Sequence, residues 1–251
     1  MKRKTKIKIP KLIGHRGVKN LCPENTIESI SKAYDLGLNY VEVDVKITKD
    51  EIPILLHDDT IDRTTNGFGS PLNFNYNKLK KLDAGEYFYK KKTNNFIPKL
   101  DDVLNLCIKK KGNLNIELKP NKGFEKLNVQ KTVELTKNIR SIDFFFSSFD
   151  LISTIEISKI YPSSSRSFLL DTFEKYSVDD LIDISNKYGL EICGLNIDII
   201  SNEIIRKIKK NNLLITVYSE MNINIDKAKQ CFSDGIDSIF TDDPRELLKI
   251  C

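Results

Sequence analysis

Residues Tyr40–Asp59 read "YVEVDVKITKDEIPILLHDD", and this stretch decides how the whole chain is read. Two β-branched, apolar runs flank "KDE", three residues of turn type. A parallel connection needs roughly a dozen residues or more, so two strands this close must form a hairpin. Glu42 and Asp44 stand two apart and therefore share one face of the first strand. That strand is expected to run on past its neighbours, turn near Lys49–Glu51 and come back. The return brings His57 to about the level of Asp44, so a histidine is folded back onto a pair of carboxylates.

Outward from this hairpin, apolar runs recur at Lys11–Gly14, Asn39–Val45, Asn113–Leu118, Ile142–Ser147, Arg166–Leu170, Glu191–Ile197, Leu213–Tyr218 and Ile236–Thr241. Helical patterns lie between and after them, at Asn25–Leu36, Leu100–Lys110, Phe124–Lys137, Leu151–Ile160, Val178–Tyr188, Asn202–Asn211, Ile223–Phe232 and Pro244–Ile250. Strand and helix alternate almost throughout. Eight such units in 251 residues predict an α/β fold of the closed (β/α)8 TIM barrel type, with a doubly wound open sheet as the second choice. One segment breaks the alternation. Residues 59–98 are irregular and rich in Asn, Gly, Lys and aromatics, too long for an ordinary barrel loop. They are read as a small inserted subdomain over the barrel mouth, within a single domain spanning 1–251.

Composition narrows the class. Hydrophobic residues make up 40% and charged residues 30%, which suits a globular chain with a real core. The net charge of +5 is small and dispersed, which argues against a nucleic-acid partner and mildly favours an anionic small substrate. The lysine runs 90–92 and 109–111 read as solvated surface. Five scattered cysteines without a CxxC pair indicate a reduced, intracellular protein. The basic N-terminus lacks the apolar stretch of a signal peptide, and no segment approaches the roughly 20 apolar residues of a membrane span, so a cytoplasmic location is expected.

The chain has two histidines, and both end strand-like runs. In a (β/α)8 barrel the site lies at the C-terminal ends of the strands. Those ends offer His15 and Arg16, then Glu42 and Asp44, then His57 and Asp58 on the hairpin, then Glu117 and Lys119. Later ends add Ser147, Ser148 and Phe149, Asn196, Tyr218, Thr241 and Asp242. Three carboxylates in one mouth would repel one another, and the usual resolution is a hard divalent cation, Mg2+ or Ca2+. Arg16 and Lys119 then supply fixed positive charge that a neutral substrate would not need. Metal, Arg and Lys together describe a site for a phosphate or phosphodiester, and two flanking histidines can act as general base and general acid in phosphodiester cleavage.

The segments "GHRG…PENT", "VEVDVKITKDEIPILLHDDTIDRTT", "IELKP", "SSFD" and "DGIDSIFTDDP" run in order from residue 14 to residue 244. Together they resemble the glycerophosphodiester phosphodiesterase family of phospholipase-C-like barrels. The resemblance implies metal ligands at Glu42, Asp44 and Glu117, catalytic histidines at His15 and His57, and phosphate-contacting cations at Arg16 and Lys119. It implies a polar residue near the site at Asn25, for which a helix-capping role, shared with Glu24, is the alternative. It also implies an insertion after the second histidine.

The chain departs from the family in two places. Glu51 stands at the hairpin tip where the family usually has glycine, and no tryptophan exists for the late strand that often carries one. Tyr218 takes that place. Phe149 and Tyr218 read either as pocket walls or as packing. The expected substrate is a glycerophosphodiester, cleaved to sn-glycerol 3-phosphate and an alcohol. A lysophospholipase D-type reaction and a non-catalytic phosphodiester binder are the alternatives. Which histidine is the base, which of the two metals is used and the oligomeric state are left open.

Overall fold

The chain's order of elements follows its hydrophobic period. In the computed structural model, which describes residues 7–251, the strands are β1 (Leu12–Gly14), β2 (Tyr40–Ile47), β3 (Pro53–Leu55), β4 (Asn113–Leu118), β5 (Phe144–Ser148), β6 (Ser165–Leu170), β7 (Ile192–Asn196), β8 (Leu214–Tyr218) and β9 (Ser238–Thr241). The helices are α1 (Ile27–Asp35), α2 (Tyr76–Leu79), α3 (Glu86–Tyr89), α4 (Leu100–Lys110), α5 (Glu125–Thr136), α6 (Leu151–Ile160), α7 (Val178–Tyr188), α8 (Asn202–Lys210) and α9 (Ile225–Asp234). The strand order is β1-β9-β8-β7-β6-β5-β4-β2, and a pairing of β1 with β2 closes the ring. All of these pairs are parallel, so the fold is a (β/α)8 barrel. The closing seam is thin. β1 meets β9 through three register pairs but meets β2 through the single pair Gly14–Val41.

The ninth strand is the return arm of the hairpin. β3 lies antiparallel on β2, with Val45 opposite Leu55 and Ile47 opposite Pro53. Glu51 sits at the turn with φ 60°, a left-handed backbone that favours glycine, and its carboxylate pairs with Lys131 at 3.0 Å. Leu56 N donates to Asp44 O at 3.1 Å, so the return arm does bring His57 back to the level of Asp44.

Alternation sorts the strand residues. Val41, Val43 and Val45 face the helices in the main core, with Leu114, Ile116, Leu195, Ile215 and Val217. Ile13, Tyr40, Phe145, Ile192, Leu214 and Phe240 form a second cluster, on the opposite faces of their strands. Four of the helices that follow strands start on polar caps: Asp150 for α6, Ser177 for α7, Ser201 for α8 and Asn224 for α9 each accept a bond from the first turn. The last helical pattern, Pro244–Ile250, forms only a 3₁₀ turn, Leu247–Ile250.

Residues 59–98 hold α2 and α3 and one 3₁₀ turn, Pro71–Asn73. They share a small apolar cluster with the hairpin, in which Ile61, Leu79, Ala84 and Ile97 pack on Ile54 and Leu56. Asp83 organises the segment by accepting from the backbone of Gly85, Glu86 and Thr93.

Candidate active site

β1 ends at Gly14, and the chain leaves the sheet through His15, Arg16 and Gly17. The turn is left-handed, with φ 50° at Arg16 and 89° at Gly17. A Cβ on Gly17 would lie 2.2 Å from Ser29 Oγ, so the turn has room for glycine alone. Hydrogen bonds fix it: His15 N donates to Thr241 O at 2.9 Å, Arg16 N to Glu42 Oε2 at 2.9 Å, and Gly17 N to Glu42 O at 3.2 Å. The strained backbone at Arg16 is thereby over-determined by its neighbours.

β2 contributes Glu42 and Asp44, and β4 contributes Glu117 beside Asp44 in register. All three are buried, and a carboxylate oxygen of each lies within 4.8 Å of the others. Their protons are unevenly held. Burial, with the charges of Asp44 and Glu117, pushes Glu42 well above the usual carboxylate range. Burial and Asp44 push Glu117 up against the opposing pull of Lys119. Burial acts on Asp44 in the same sense, but Arg16, Lys119, His57 and the Asn25 amide outweigh it and hold this carboxyl low. Glu42 Oε1 is buried without a hydrogen-bond partner. A buried carboxylate oxygen left unpaired is unfavourable, and oxygen donors converging on one point are what a hard cation takes. The donor set therefore fits a divalent metal.

Each histidine stands on a carboxylate. His15 Nδ1 meets Asp242 Oδ1 at 2.7 Å, and His57 Nδ1 meets Asp58 Oδ1 at 2.6 Å. A carboxylate only accepts, so Nδ1 carries the hydrogen and Nε2 is left free for chemistry. Burial lowers the pKa of both rings; Arg16 and Lys19 add to this at His15, Arg16 and Lys119 at His57, and the paired carboxylates oppose it.

The cations are as firmly mounted. Lys119 Nζ lies 2.8 Å from Glu117 Oε1 and 5.2 Å from the centre of the Phe149 ring. Arg16 reaches Glu24 through Nη1 at 2.9 Å and Asp44 through Nε at 3.3 Å. Despite their burial, the surrounding carboxylates raise the pKa of both groups and keep them charged.

These groups border a cavity of about 500 Å³. His15, Arg16, Glu42, His57, Glu117 and Lys119 line it together with the apolar Phe149, Leu169, Tyr218 and Phe240, and Lys19, Asp171, Ser219 and Glu220 complete the wall. Phe149 and Tyr218 meet edge to face at 5.5 Å, so each both lines the cavity and packs on the other. The Tyr218 hydroxyl donates to Leu170 O at 3.0 Å and to Asp171 Oδ1 at 3.1 Å.

Two expected placements differ in detail. Asn25 stands behind the cavity, not in its wall: Nδ2 donates to Asp44 Oδ2 at 2.8 Å and Oδ1 accepts from Asp44 N at 3.1 Å. It does not cap α1 either, since Thr26 does so by accepting from Ser29 N. The segment 59–98 contributes no residue to the cavity wall; it reaches the site from the side, through Arg63 and Tyr87. Asp242 as the partner of His15, and Arg63 bridging Glu24 and Asp58, were not assigned from sequence. Position at a strand end is the available signal for Asp242; Arg63 lies inside the segment "VEVDVKITKDEIPILLHDDTIDRTT" that carries the family resemblance, but no role is assigned to it there.

Comparison with known proteins agrees with this geometry. The profile of the Glycerophosphoryl diester phosphodiesterase family matches residues 15–246. A glycerophosphodiester phosphodiesterase of Caldanaerobacter subterraneus is 31% identical, over 95% of this chain and 96% of its own. One of Bacillus altitudinis is 30% identical, over 96% of this chain and 97% of its own. The structure of an Oleispira antarctica phosphodiesterase, in complex with the product sn-glycerol-3-phosphate, superposes with a TM-score of 0.89 at 26% identity, covering 96% of both chains. A glycerophosphodiester phosphodiesterase of Thermotoga maritima shares the fold, with a TM-score of 0.76 at 21% identity over 98% of this chain and 100% of its own. The chain belongs to the glycerophosphoryl diester phosphodiesterase family and is an enzyme of the phosphoric diester hydrolase class.

Proposed function

We propose that the chain hydrolyses glycerophosphodiesters to sn-glycerol 3-phosphate and an alcohol, with His15 and His57 as the general acid–base pair. One observation carries the reading: two carboxylate-mounted histidines and two held cations line a single cavity, and two of the three clustered carboxylates, Glu42 and Glu117, stand in its wall with Asp44 beside them. Glu42, Asp44 and Glu117 would hold one divalent cation, Mg2+ or Ca2+. When bound, such an ion supplies Lewis-acid polarisation of the phosphate and offsets the charge of the three carboxylates.

The chain's own residues do the rest. Arg16 and Lys119 bind the phosphate and stabilise the charge that grows on its oxygens as the fifth bond forms. The attacking oxygen is that of water, or that of the glycerol hydroxyl next to the phosphate; in the second case the cyclic phosphodiester so formed is opened by water in a further step to give sn-glycerol 3-phosphate. Nε2 of one histidine removes its proton, and Nε2 of the other donates a proton to the leaving alcohol oxygen as its bond to phosphorus breaks. Asn25 holds Asp44 in place and so acts on substrate indirectly. Phe149 and Tyr218 line the cavity and offer apolar surface to the carbon skeleton of the substrate.

The reading takes 1–251 as one phosphodiesterase domain with 59–98 inserted in it. The small apolar cluster that this segment shares with the hairpin supports that division. The five cysteines are free thiols, which suits a cytoplasmic setting.

The test is release of glycerol 3-phosphate from glycerophosphocholine, with Mg2+ or Ca2+ and then with excess chelator. Metal-dependent release supports the reaction and the carboxylate cluster together. No release in either metal overturns the reading. A lysophospholipid presented as micelles, compared with the soluble diester, tests the lysophospholipase D-type alternative.

A further inference from the structure

One side chain of the 59–98 segment touches both halves of the catalytic machinery. Arg63 places Nη1 2.7 Å from Glu24 Oε2 and Nη2 2.8 Å from Glu24 Oε1. The same guanidinium places Nε 2.6 Å from Asp58 Oδ2 and Nη2 3.0 Å from Asp58 Oδ1. Each carboxylate has a second task. Asp58 Oδ1 accepts from His57 Nδ1, and Glu24 Oε1 accepts from Arg16 Nη1. Glu24 is buried, and its backbone N–H is held by the Tyr87 hydroxyl of the same segment at 2.9 Å. Arg63 itself does not line the cavity.

The planar fork explains why arginine stands here. Two carboxylates approach one guanidinium on different edges, each through paired bonds, which a lysine ammonium cannot reproduce. Without Arg63, Glu24 would keep Arg16 as a partner but lose two bonds, and Asp58 would be a half-exposed carboxylate free to rotate away from His57.

We propose that Arg63 is a positioning residue for both His57 and Arg16, by which the inserted segment sets the imidazole orientation on one side of the cavity and the phosphate-binding guanidinium on the other. This rests on the catalytic reading of His57 and Arg16 given above. Asp58 is held below the ordinary carboxylate range mainly by its bonds to Arg63, consistent with that role.

The experiment compares the full chain with Arg63→Ala and Arg63→Lys by two readouts. The first is independent of turnover. The chain has two histidines, so its imidazole 15N spectrum holds two sets of signals, which His57→Asn assigns. In the parent, both rings should show a protonated Nδ1. In Arg63→Ala the His57 ring should lose this fixed tautomer while His15, mounted on Asp242, stays as it was. The second readout is the split between kcat and KM on glycerophosphocholine. Losing an outer partner of a functional group lowers activity about 10- to 100-fold, and here the loss should fall mainly on kcat, with Arg63→Lys recovering only part of it.

Unchanged His57 signals in Arg63→Ala overturn the proposal, as do signals that move equally at both histidines. So does a kcat within threefold of the parent. An inactive parent with a selective His57 change sinks the catalytic reading alone and leaves Arg63 as the residue that sets the imidazole. If Arg63→Ala does not fold, Arg63→Lys carries both readouts.

Discussion

The two histidines are mounted in different ways. His15 leans on Asp242, which is 227 positions away in sequence and lies at the end of the adjacent strand, so the barrel wall itself supplies the partner. The Asp242 carboxylate is buried, with 5% of its side chain exposed, and Lys19 supports it at 3.4 Å. His57 leans on the very next residue, Asp58, whose side chain is 31% exposed and which is steadied by Arg63 from an inserted segment. One mount is a by-product of closing the sheet. The other is an accessory added beside it. An imidazole is thus held once by the fold's long-range order and once by a local device.

The largest effect should come from removing the rings. His15→Ala and His57→Ala should each lower kcat about 10²–10⁴-fold with the circular-dichroism spectrum unchanged. Near-parent turnover in either variant would break the symmetry of role that underlies the contrast of mounts.

Metal comes next and is common to both. Saturating Mg2+ or Ca2+, at about 100 times its dissociation constant, should stabilise the chain by about 2.7 kcal/mol, read as a rise in Tm that chelator reverses. Glu42→Gln should abolish most of that rise.

The mounts themselves should separate at the third level. Asp242→Asn removes a buried charged partner and should lower stability by about 1–3 kcal/mol in denaturant titration as well as lowering kcat. Asp58→Asn, nearer the surface, should leave the unfolding midpoint within about 0.5 kcal/mol and change kcat alone.

The smallest effect is pH-dependent. Bonds to Arg63 hold Asp58 below its ordinary value of 3.8 in the folded chain. Its contribution is therefore complete above about pH 4 and is lost as pH falls through the depressed value. The small stability gap between the parent and Asp58→Asn should narrow on acidification; a gap that widened would contradict the sign.

Much of this was legible because strands have a period of two. Glu42 and Asp44 on one face, Glu117 and Lys119 on another, and three turn residues before "IPILLHDD" were enough to place a hairpin and a carboxylate cluster at one barrel end. What periodicity cannot show is which loop side chains meet. Arg63 and Glu24 are 39 positions apart, both in irregular chain, and no repeat relates them. Asn25 illustrates a different limit. Its type and position suited a cap, but the turn after β1 puts it at φ 55° and aims its amide at Asp44, leaving Thr26 to cap the helix. The late Pro244–Ile250 pattern had apolar spacing, but only its last four residues, Leu247–Ile250, turn, as a 3₁₀ helix.

The thin seam between β1 and β2 has a consequence for how this enzyme acquires its activity. One ladder pair joins the strands there, and further links across the gap involve residues of the candidate site: Arg16 N to Glu42 Oε2, Gly17 N to Glu42 O, Arg16 Nε to Asp44 and the Asn25 amide to Asp44. Residues proposed for the site thus also help to fasten the ring. On the proposed reading, ring closure and catalytic competence should arise together, so turnover during refolding should appear when the first strand locks against the second.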